Sequence, residues 1–429
     1  MNAALFSTLV ILFVLSVPVA VSIGLASVFS IHFFSHLPLL VVPQKMFAGL
    51  DSFPLLAIPF FILAGNLMSH GGVSYRLVHF AKSLVGNVQG GLASTAIITC
   101  MIFAAISGSS VATTFAVGAI LIPAMVKQGY PVPMAATIQA TSAELGVIIP
   151  PSVPMILYAV STENSVRQMF IAGIGPGILI AIFLLIMGQG WCRLQGIGKQ
   201  DTTPDLSFWQ SSKQAFWALL LPILVIGGIY GGVFTPTEAA AVAAVYAFFV
   251  GCFIYKELSW HKLVHVLKVS ATATSAIMLI IAAASLFSFL IGLSGIAQEI
   301  SDWAKHTFEH KWSFLLFTNA LLFVVGMFIE TSAAILVLAP LLAPIAVSYG
   351  VDPIHFGIIL IVNLAMGMIT PPLGVNLFAA ATIAQIHVTR MFKPLIIPVF
   401  TLLLALLCIT YIPEISLYLR DLIVTPMSF

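Results

Sequence analysis

In 429 residues the chain carries 60% hydrophobic and only 7% charged positions, with a mean hydropathy of +1.13 and a formal net charge of +2. Soluble domains are about a quarter charged, so this composition excludes a water-soluble globule. The 16 Lys and Arg residues are spread over short loops, which excludes a nucleic-acid footprint.

Apolar runs near the ~20 residues of a spanning helix recur along the chain. The first, residues 4–30, follows "MNAALFSTLV", which has no basic n-region and no A-x-A cleavage site. It reads as a retained span rather than a signal peptide. Residues 54–69 give a second span, and residues 73–88, with Arg76 and Lys82, read as an amphipathic piece lying along the membrane surface. Residues 91–126 form an apolar pair broken by "SGSSVATT". Each arm is too short for a full span, so the pair reads as a re-entrant hairpin with its tip at residues 107–110; two ordinary spans joined by a tight turn are the alternative. Next comes "ELGVIIPPSVP", residues 144–154, inside an apolar stretch. Pro150 and Pro151 remove two backbone donors and break that helix. Spans follow at 173–191, 215–234 and 239–255, then a charged segment 256–269 read as a second surface arm, then a span at 274–293. A second broken pair, 312–347, has its tip at residues 329–332, and "MGMITPPLGVN" at 366–376 repeats the double proline. The last span is 395–412.

Pro371 follows Pro150 by 221 residues, and the same offset joins Gly71 to Gly292, Pro123 to Pro344, Gly129 to Gly350 and Gly146 to Gly367. The chain therefore reads as a duplicated unit: 1–191 with hairpin 91–126 and broken helix 132–161, a linking segment 192–235, and 236–429 with hairpin 312–347 and broken helix 353–382. If hairpins do not cross, an odd number of crossings separates the halves, so the repeats are inverted. Cations then divide eleven against five. One side holds Arg76, Lys82, Lys127, Arg193, Lys199, Lys213, Lys256, Lys262, Lys268, Arg390 and Lys393; the other holds Lys45, Arg167, Lys305, Lys311 and Arg420. The positive-inside rule places the N-terminus in the cytoplasm and the C-terminus outside.

Inverted repeats with broken helices are the pattern of secondary transporters, in which freed backbone groups meet substrate and ions near the midplane. A passive channel or a non-transporting membrane scaffold is the alternative. Neither ATP hydrolysis nor other enzyme chemistry is expected: no phosphate-cradling Gly-rich loop is present, and no histidine stands beside a membrane serine. Cys100, Cys192, Cys252 and Cys408 are far apart and read as filler. The hydroxyls of the first tip, and Thr331 and Ser332 beside residues 367–372, are hard oxygen ligands suited to Na⁺. Glu330 is an acid at membrane depth, a functional candidate by default. Glu144 is either a second such acid or a packing contact between helices.

The segments "ISGSSVATTFAVGAILIPAMVKQGYP", "LGVIIPPSVPMILYAV", "GMFIETSAAILVLAP" and "NLAMGMITPPLGVNLF" resemble the DctM-like large membrane subunit of TRAP (tripartite ATP-independent periplasmic) transporters, over essentially the whole chain. The resemblance implies an all-α polytopic fold of the elevator type in a bacterial inner membrane, and sodium-coupled import of an organic acid such as sialic acid or a C4-dicarboxylate. It also implies a small four-helix membrane subunit and a periplasmic substrate-binding protein as partners. One sodium site would comprise Ser107, Gly108, Ser110, Gly146, Ile149 and Pro151, and another Gly326, Thr331, Gly367, Thr370 and Pro372. Ser107, Ser109, Ser152 and Glu330 would face substrate; many members carry Asp where this chain has Glu330.

Overall fold

The structure is a computed structural model describing residues 1–198 and 206–424; Lys199, counted above among the loop cations, lies outside them. The described residues are helical throughout, without strands. In chain order the first half holds α1 (Asn2–Val14), α2 (Val19–Phe34), α3 (Val41–Leu50), α4 (Ala57–His70), α5 (Val73–Val85), α6 (Gly91–Ser107), α7 (Ser110–Lys127), α8 (Val132–Ala143), α9 (Leu145–Ile148), α10 (Val153–Ser161) and α11 (Val166–Gln195). Then come α12 (Phe208–Tyr230), α13 (Pro236–Phe249), α14 (Trp260–Ser294), α15 (Ile296–Thr307), α16 (Lys311–Gly326), α17 (Thr331–Ser348), α18 (Pro353–Gly367), α19 (Val375–Ala384), α20 (Phe392–Tyr411) and α21 (Glu414–Val424). Among the described residues, 8 helices are long and apolar enough to span a membrane, or 9 if α8–α10 counts as one span bent by 42° at its break.

The 221-residue offset carries α7 onto α17 end for end, α8 onto α18, α10 onto α19 and α11 onto α20. Contacts between the halves come in matching pairs. α4 packs on α13 as α14 packs on α2; α7 packs on α19 as α10 packs on α17; α8 meets α20 as α11 meets α18. Most buried side chains form one continuous core, while α1, α2 and the end of α14 close a separate one around Phe287 and Leu290.

Two expectations need correction. Residues 4–30 are not one helix. Val17 precedes Pro18, which disfavours helical backbone there, and Ser16 takes a φ of 58°. α1 and α2 therefore fold against each other, and the Asn2 amide donates to the Ser294 carbonyl at 3.5 Å. Met1 thus lies at the C-terminal end of α14, on the side of Lys305 and Lys311, and not on the side of Arg76 and Lys82 as expected. The second correction concerns residues 256–269. The Ser259 hydroxyl caps the N–H of Lys262, and no breaker follows, so the segment simply opens the 35-residue α14. The first-half counterpart of α14 is interrupted at Pro54 into α3, a 3-10 turn and α4, as a proline inside a helix dictates. The surface arm that matches the amphipathic α5 is instead α15, which has the counterpart register and the same one-sided apolar face.

The C-terminal α21 is fastened by Arg420, whose guanidinium donates to Asp352 at 2.6 Å and to Asp421 at 2.7 Å. Burial pushes the Asp352 carboxyl up, but Arg420 and the backbone N–H groups of His355 and Ile354 outweigh it and hold the carboxyl below its ordinary 3.8. A depressed carboxyl stabilises fully above its unfolded value and loses that contribution as pH falls through the folded one. α21 is expected to stay docked at neutral pH and to become protease-sensitive below about pH 4, or at neutral pH in Arg420→Ala; limited proteolysis across a pH series checks this.

Candidate functional site

Each hairpin turns on a helix cap. α6 ends in Gly108, which takes φ +62, a left-handed conformation that glycine adopts without strain. The Ser109 side chain then accepts from the Ala112 N–H to start α7. Its counterpart at the second tip is Glu330, which accepts from the N–H groups of Ser332 at 2.9 Å and Ala333 at 3.2 Å and from the Ser332 hydroxyl at 2.8 Å.

The tips press on the breaks. A Cβ on Gly108 would lie 2.8 Å from the Pro151 carbonyl oxygen, and one on Gly146 would lie 2.7 Å from that of Ser109. At the second tip a Cβ on Gly326 would lie 3.0 Å from the Leu364 carbonyl oxygen and 3.1 Å from the Cα of Gly367. The Leu373 N–H donates to the Met327 carbonyl at 3.3 Å. Ser107, Gly108, Gly146 and Pro151 are thus one cluster, and Gly326 and Gly367 are another.

The two tips share one cavity of about 360 Å³. Ser107, Gly108, Ser109, Ser110 and Glu330 line it, while Ser152, Thr331 and Thr370 do not. Ser152, buried at the residue before α10, does not cap that helix with its side chain but gives its hydroxyl to the Val147 carbonyl at 2.6 Å. The Thr331 hydroxyl points to the Met368 sulfur at 2.9 Å, and that of Thr370 to the Met366 carbonyl at 2.8 Å. Ile149 leans instead on Gly177 of α11, and Pro372 lies at the turn before α19.

The wall formed by hairpins and breaks matches itself under the repeat. Ser109 and Glu330, Val111 and Ser332, Val147 and Met368, and Pro154 and Val375 are four pairs 221 apart, and all line the cavity. This wall brings the N-termini of α7, α10, α17 and α19 to one place. Helix N-termini present unbonded N–H groups and partial positive charge, so the wall favours an anion. No lysine or arginine is among its described lining residues, and Glu330, its one acid, is already engaged by the α17 N–H groups. α4 and α14 form the facing wall, where the Asn66 amide donates to the Ser270 hydroxyl at 2.9 Å.

Several polar residues were passed over in the sequence. The Thr113 hydroxyl closes the first tip, 2.9 Å from the Ser107 hydroxyl and 2.7 Å from the Ser109 carbonyl oxygen. Glu144 lies away from the cavity. Its carboxyl accepts from the Asn376 side-chain NH₂, and the Thr114 hydroxyl donates to the Asn376 Oδ1 at 3.3 Å. Three residues from both halves thus form one buried chain, with the other Glu144 oxygen unpartnered. The available signal was that Asn66 and Asn376 are amides inside apolar stretches, where polar groups mark contacts.

Comparison with known proteins agrees with this architecture. The family model described as the DctM component of the tripartite ATP-independent periplasmic transporters matches residues 6–415. The C4-dicarboxylate TRAP transporter large permease protein DctM of Rhodobacter capsulatus is 40% identical over 433 residues, 98% of each chain. The sialic acid TRAP transporter large permease protein SiaM of Vibrio cholerae is 36% identical, covering 88% of this chain and 89% of its own. The 2,3-diketo-L-gulonate TRAP transporter large permease protein YiaN of Escherichia coli is also 36% identical, covering 91% and 90%. Among solved structures, the YdaH transporter of Alcanivorax borkumensis superposes with a TM-score of 0.67 at 16% identity, over 98% of this chain and 99% of that one, and so shares the fold. The chain is therefore a transporter permease, a multi-pass membrane protein belonging to the DctM component family of tripartite ATP-independent periplasmic transporters.

Proposed function

We propose that the chain imports an organic carboxylate coupled to sodium. The observation that carries this is the cavity wall: four helix N-termini and two hydroxyl-bearing tips meet without a lysine or arginine among the described lining residues. Such a wall holds a carboxylate through N–H groups and hydroxyls, and co-bound cations offset its charge. The three relatives named above are described as transporters of a C4-dicarboxylate, sialic acid and 2,3-diketo-L-gulonate, each a carboxylate.

Oxygens suited to Na⁺ gather at the first tip, where the Ser107 and Thr113 hydroxyls and the Ser109 carbonyl crowd beside Gly146. At the second tip the oxygens of Thr331, the repeat counterpart of Ser110, and of Thr370, with residues 367–372, would be the ligands. The hairpins and breaks would move together against α4 and α14 in an elevator motion, with a periplasmic binding protein delivering substrate and a small four-helix membrane subunit widening the static part. Membership of the family supports both partners. If α6 and α7 pair as a re-entrant hairpin and the shorter α1 and α2 each cross, then α1, α2, α3–α4, α8–α10 and α11 make five crossings in the first half, and the repeats stay inverted. With Met1 on the face of Lys45 and Lys305, the positive-inside rule now puts both termini on the periplasmic side of the inner membrane.

Uptake of labelled carboxylates into proteoliposomes holding the whole complex, with and without an inward Na⁺ gradient, tests the reading; uptake indifferent to sodium removes the coupling. Ser110→Ala and Thr331→Ala are each expected to shift the sodium activation curve several-fold to higher concentration while the protein still inserts. Unchanged curves in both would remove these side chains from the ion sites.

A further inference from the structure

The cations on the face of Arg76 and Lys82 are not spread evenly over it. Arg76 of α5 and Lys213 of α12 line one crevice of about 410 Å³, together with Gln214, Tyr75, Trp217 and Tyr255. No acid is among its described lining residues. Three pieces of chain far apart in sequence meet here: α5, the start of α12, and the π-helical turn Val250–Ile254 that follows α13.

Tyr255 holds the three together. Its hydroxyl donates to the Gln214 carbonyl at 3.1 Å and accepts from the Ala218 N–H at 3.2 Å. In a regular helix those two backbone groups bond to each other, so the hydroxyl is inserted into the ladder of α12. The face of the same ring carries the Arg76 guanidinium, whose central carbon lies 3.8 Å from the ring centroid. The Arg76 Nη1 also donates to the Glu257 carboxylate and to the Gly72 carbonyl, each at 2.7 Å. Glu257 stays outside the lining, while Arg76 is part of it. The guanidinium is thus fixed in position before anything binds. Lys213 is the opposite case: it is exposed and joins no ion pair among the described residues. A fixed planar fork facing a free ammonium is a donor set suited to phosphate oxygens.

The depth of the crevice says where that phosphate comes from. α12 has 23 residues, about 34 Å at 1.5 Å per residue, so its first turns stand at headgroup level beside a hydrocarbon layer of about 30 Å. Trp209 and Trp217 are exposed there, as aromatic side chains are at a membrane interface. Ile254 carries the crevice wall on to Phe253 and Phe249, which are exposed and lie 5.5 Å apart between ring centroids, an apolar strip for acyl chains. We propose that this crevice is a binding site for an anionic glycerophospholipid, phosphatidylglycerol in kind, whose phosphate bridges Arg76 and Lys213 and so ties α5 to α12. The positive-inside rule accounts for cations on this face, but it requires neither a crevice nor a guanidinium fixed on a ring.

Native mass spectrometry of the whole complex tests it, with titrations of phosphatidylglycerol, phosphatidylcholine, glycerol 3-phosphate and inorganic phosphate. Phosphatidylglycerol should bind more tightly than phosphatidylcholine, and neither soluble phosphate should displace it. A basic residue at the membrane surface is worth enough that Lys213→Gln should weaken phosphatidylglycerol about fivefold, and Lys213→Glu at least about tenfold. Gln214→Trp fills the crevice and leaves both cations, and it should also weaken binding at least about tenfold. Lys305→Gln, an exposed lysine on the other face, should stay within about twofold of the parent. Binding within about twofold of the parent in all the Lys213 and Gln214 variants overturns the proposal. An equal loss in Lys305→Gln and Lys213→Gln overturns it in favour of diffuse surface charge. Displacement by glycerol 3-phosphate or inorganic phosphate overturns the lipid as the source of the phosphate. If Gln214→Trp fails to insert, the Lys213 pair decides, since that side chain is exposed and unpaired among the described residues.

Discussion

Gly367→Ala is expected to abolish transport by preventing the second hairpin from seating on its broken helix. The added Cβ would overlap the backbone of Gly326, and the reciprocal Gly326→Ala would press on the Leu364 carbonyl oxygen. Overpacking among side chains costs about 1–3 kcal/mol because rotamers and neighbours can yield. Here the obstacle is main chain on both sides, so the cost should reach the upper end of that range or exceed it. Gly190→Ala is the control. Its Cβ would meet nothing within 4 Å, and a helical glycine gains roughly 1 kcal/mol on replacement by alanine. Thermal unfolding in detergent should fall by several degrees for Gly367→Ala and hold or rise for Gly190→Ala. A Gly367→Ala protein with parental melting and uptake would mean that the close approach of α16 and α18 is dispensable.

Glu330→Ser is the second large effect. Serine gives the second tip the cap that Ser109 gives the first, so α17 should still start at Thr331 and the protein should insert. What is lost is the charge. A charge-assisted hydrogen bond contributes about 1.5–3 kcal/mol, so uptake should drop roughly tenfold or more if the carboxylate orders the tip around substrate and ions. Glu330→Ala removes the cap as well, about 0.5–2 kcal/mol of helix stability. It should therefore also lower the melting temperature, which Glu330→Ser should not. Parental uptake in Glu330→Ser would reduce Glu330 to a cap.

Glycine and proline made the fold legible in the sequence, because their spacing records backbone geometry directly. Pro150 and Pro371 marked the breaks, and the 221-residue offset carried every major element of one half onto the other. The two tips were legible because small polar residues interrupt apolar runs. Local turns misled: residues 4–30 hid a reversal at Val17–Pro18, and residues 256–269 carried surface-like charges on the opening turns of a helix. Side-chain direction was out of reach: the Ser152 hydroxyl donates to the Val147 carbonyl and the Thr331 hydroxyl to the Met368 sulfur, and neither residue lines the cavity. Thr113 and Asn376 take part through contacts that join segments distant in sequence.

α14 runs unbroken for 35 residues, roughly 52 Å at 1.5 Å per residue, against a hydrocarbon layer of about 30 Å. Its opening turns carry His261, Lys262, His265 and Lys268 and belong in the headgroups; the ~25 apolar residues beyond them still overshoot the layer and must lean. This helix is therefore an oblique beam, its inclination set by its packing on α2, α3, α4 and α17 and by the basic turns anchored in the headgroups. It lines the cavity at residues 269–277 and a second crevice, beside Ala48 and Ser52, at residues 281–288, so its inclination sets the relative heights of the two. Membrane thickness thereby bears on the depth at which each is held, through the length of a single helix.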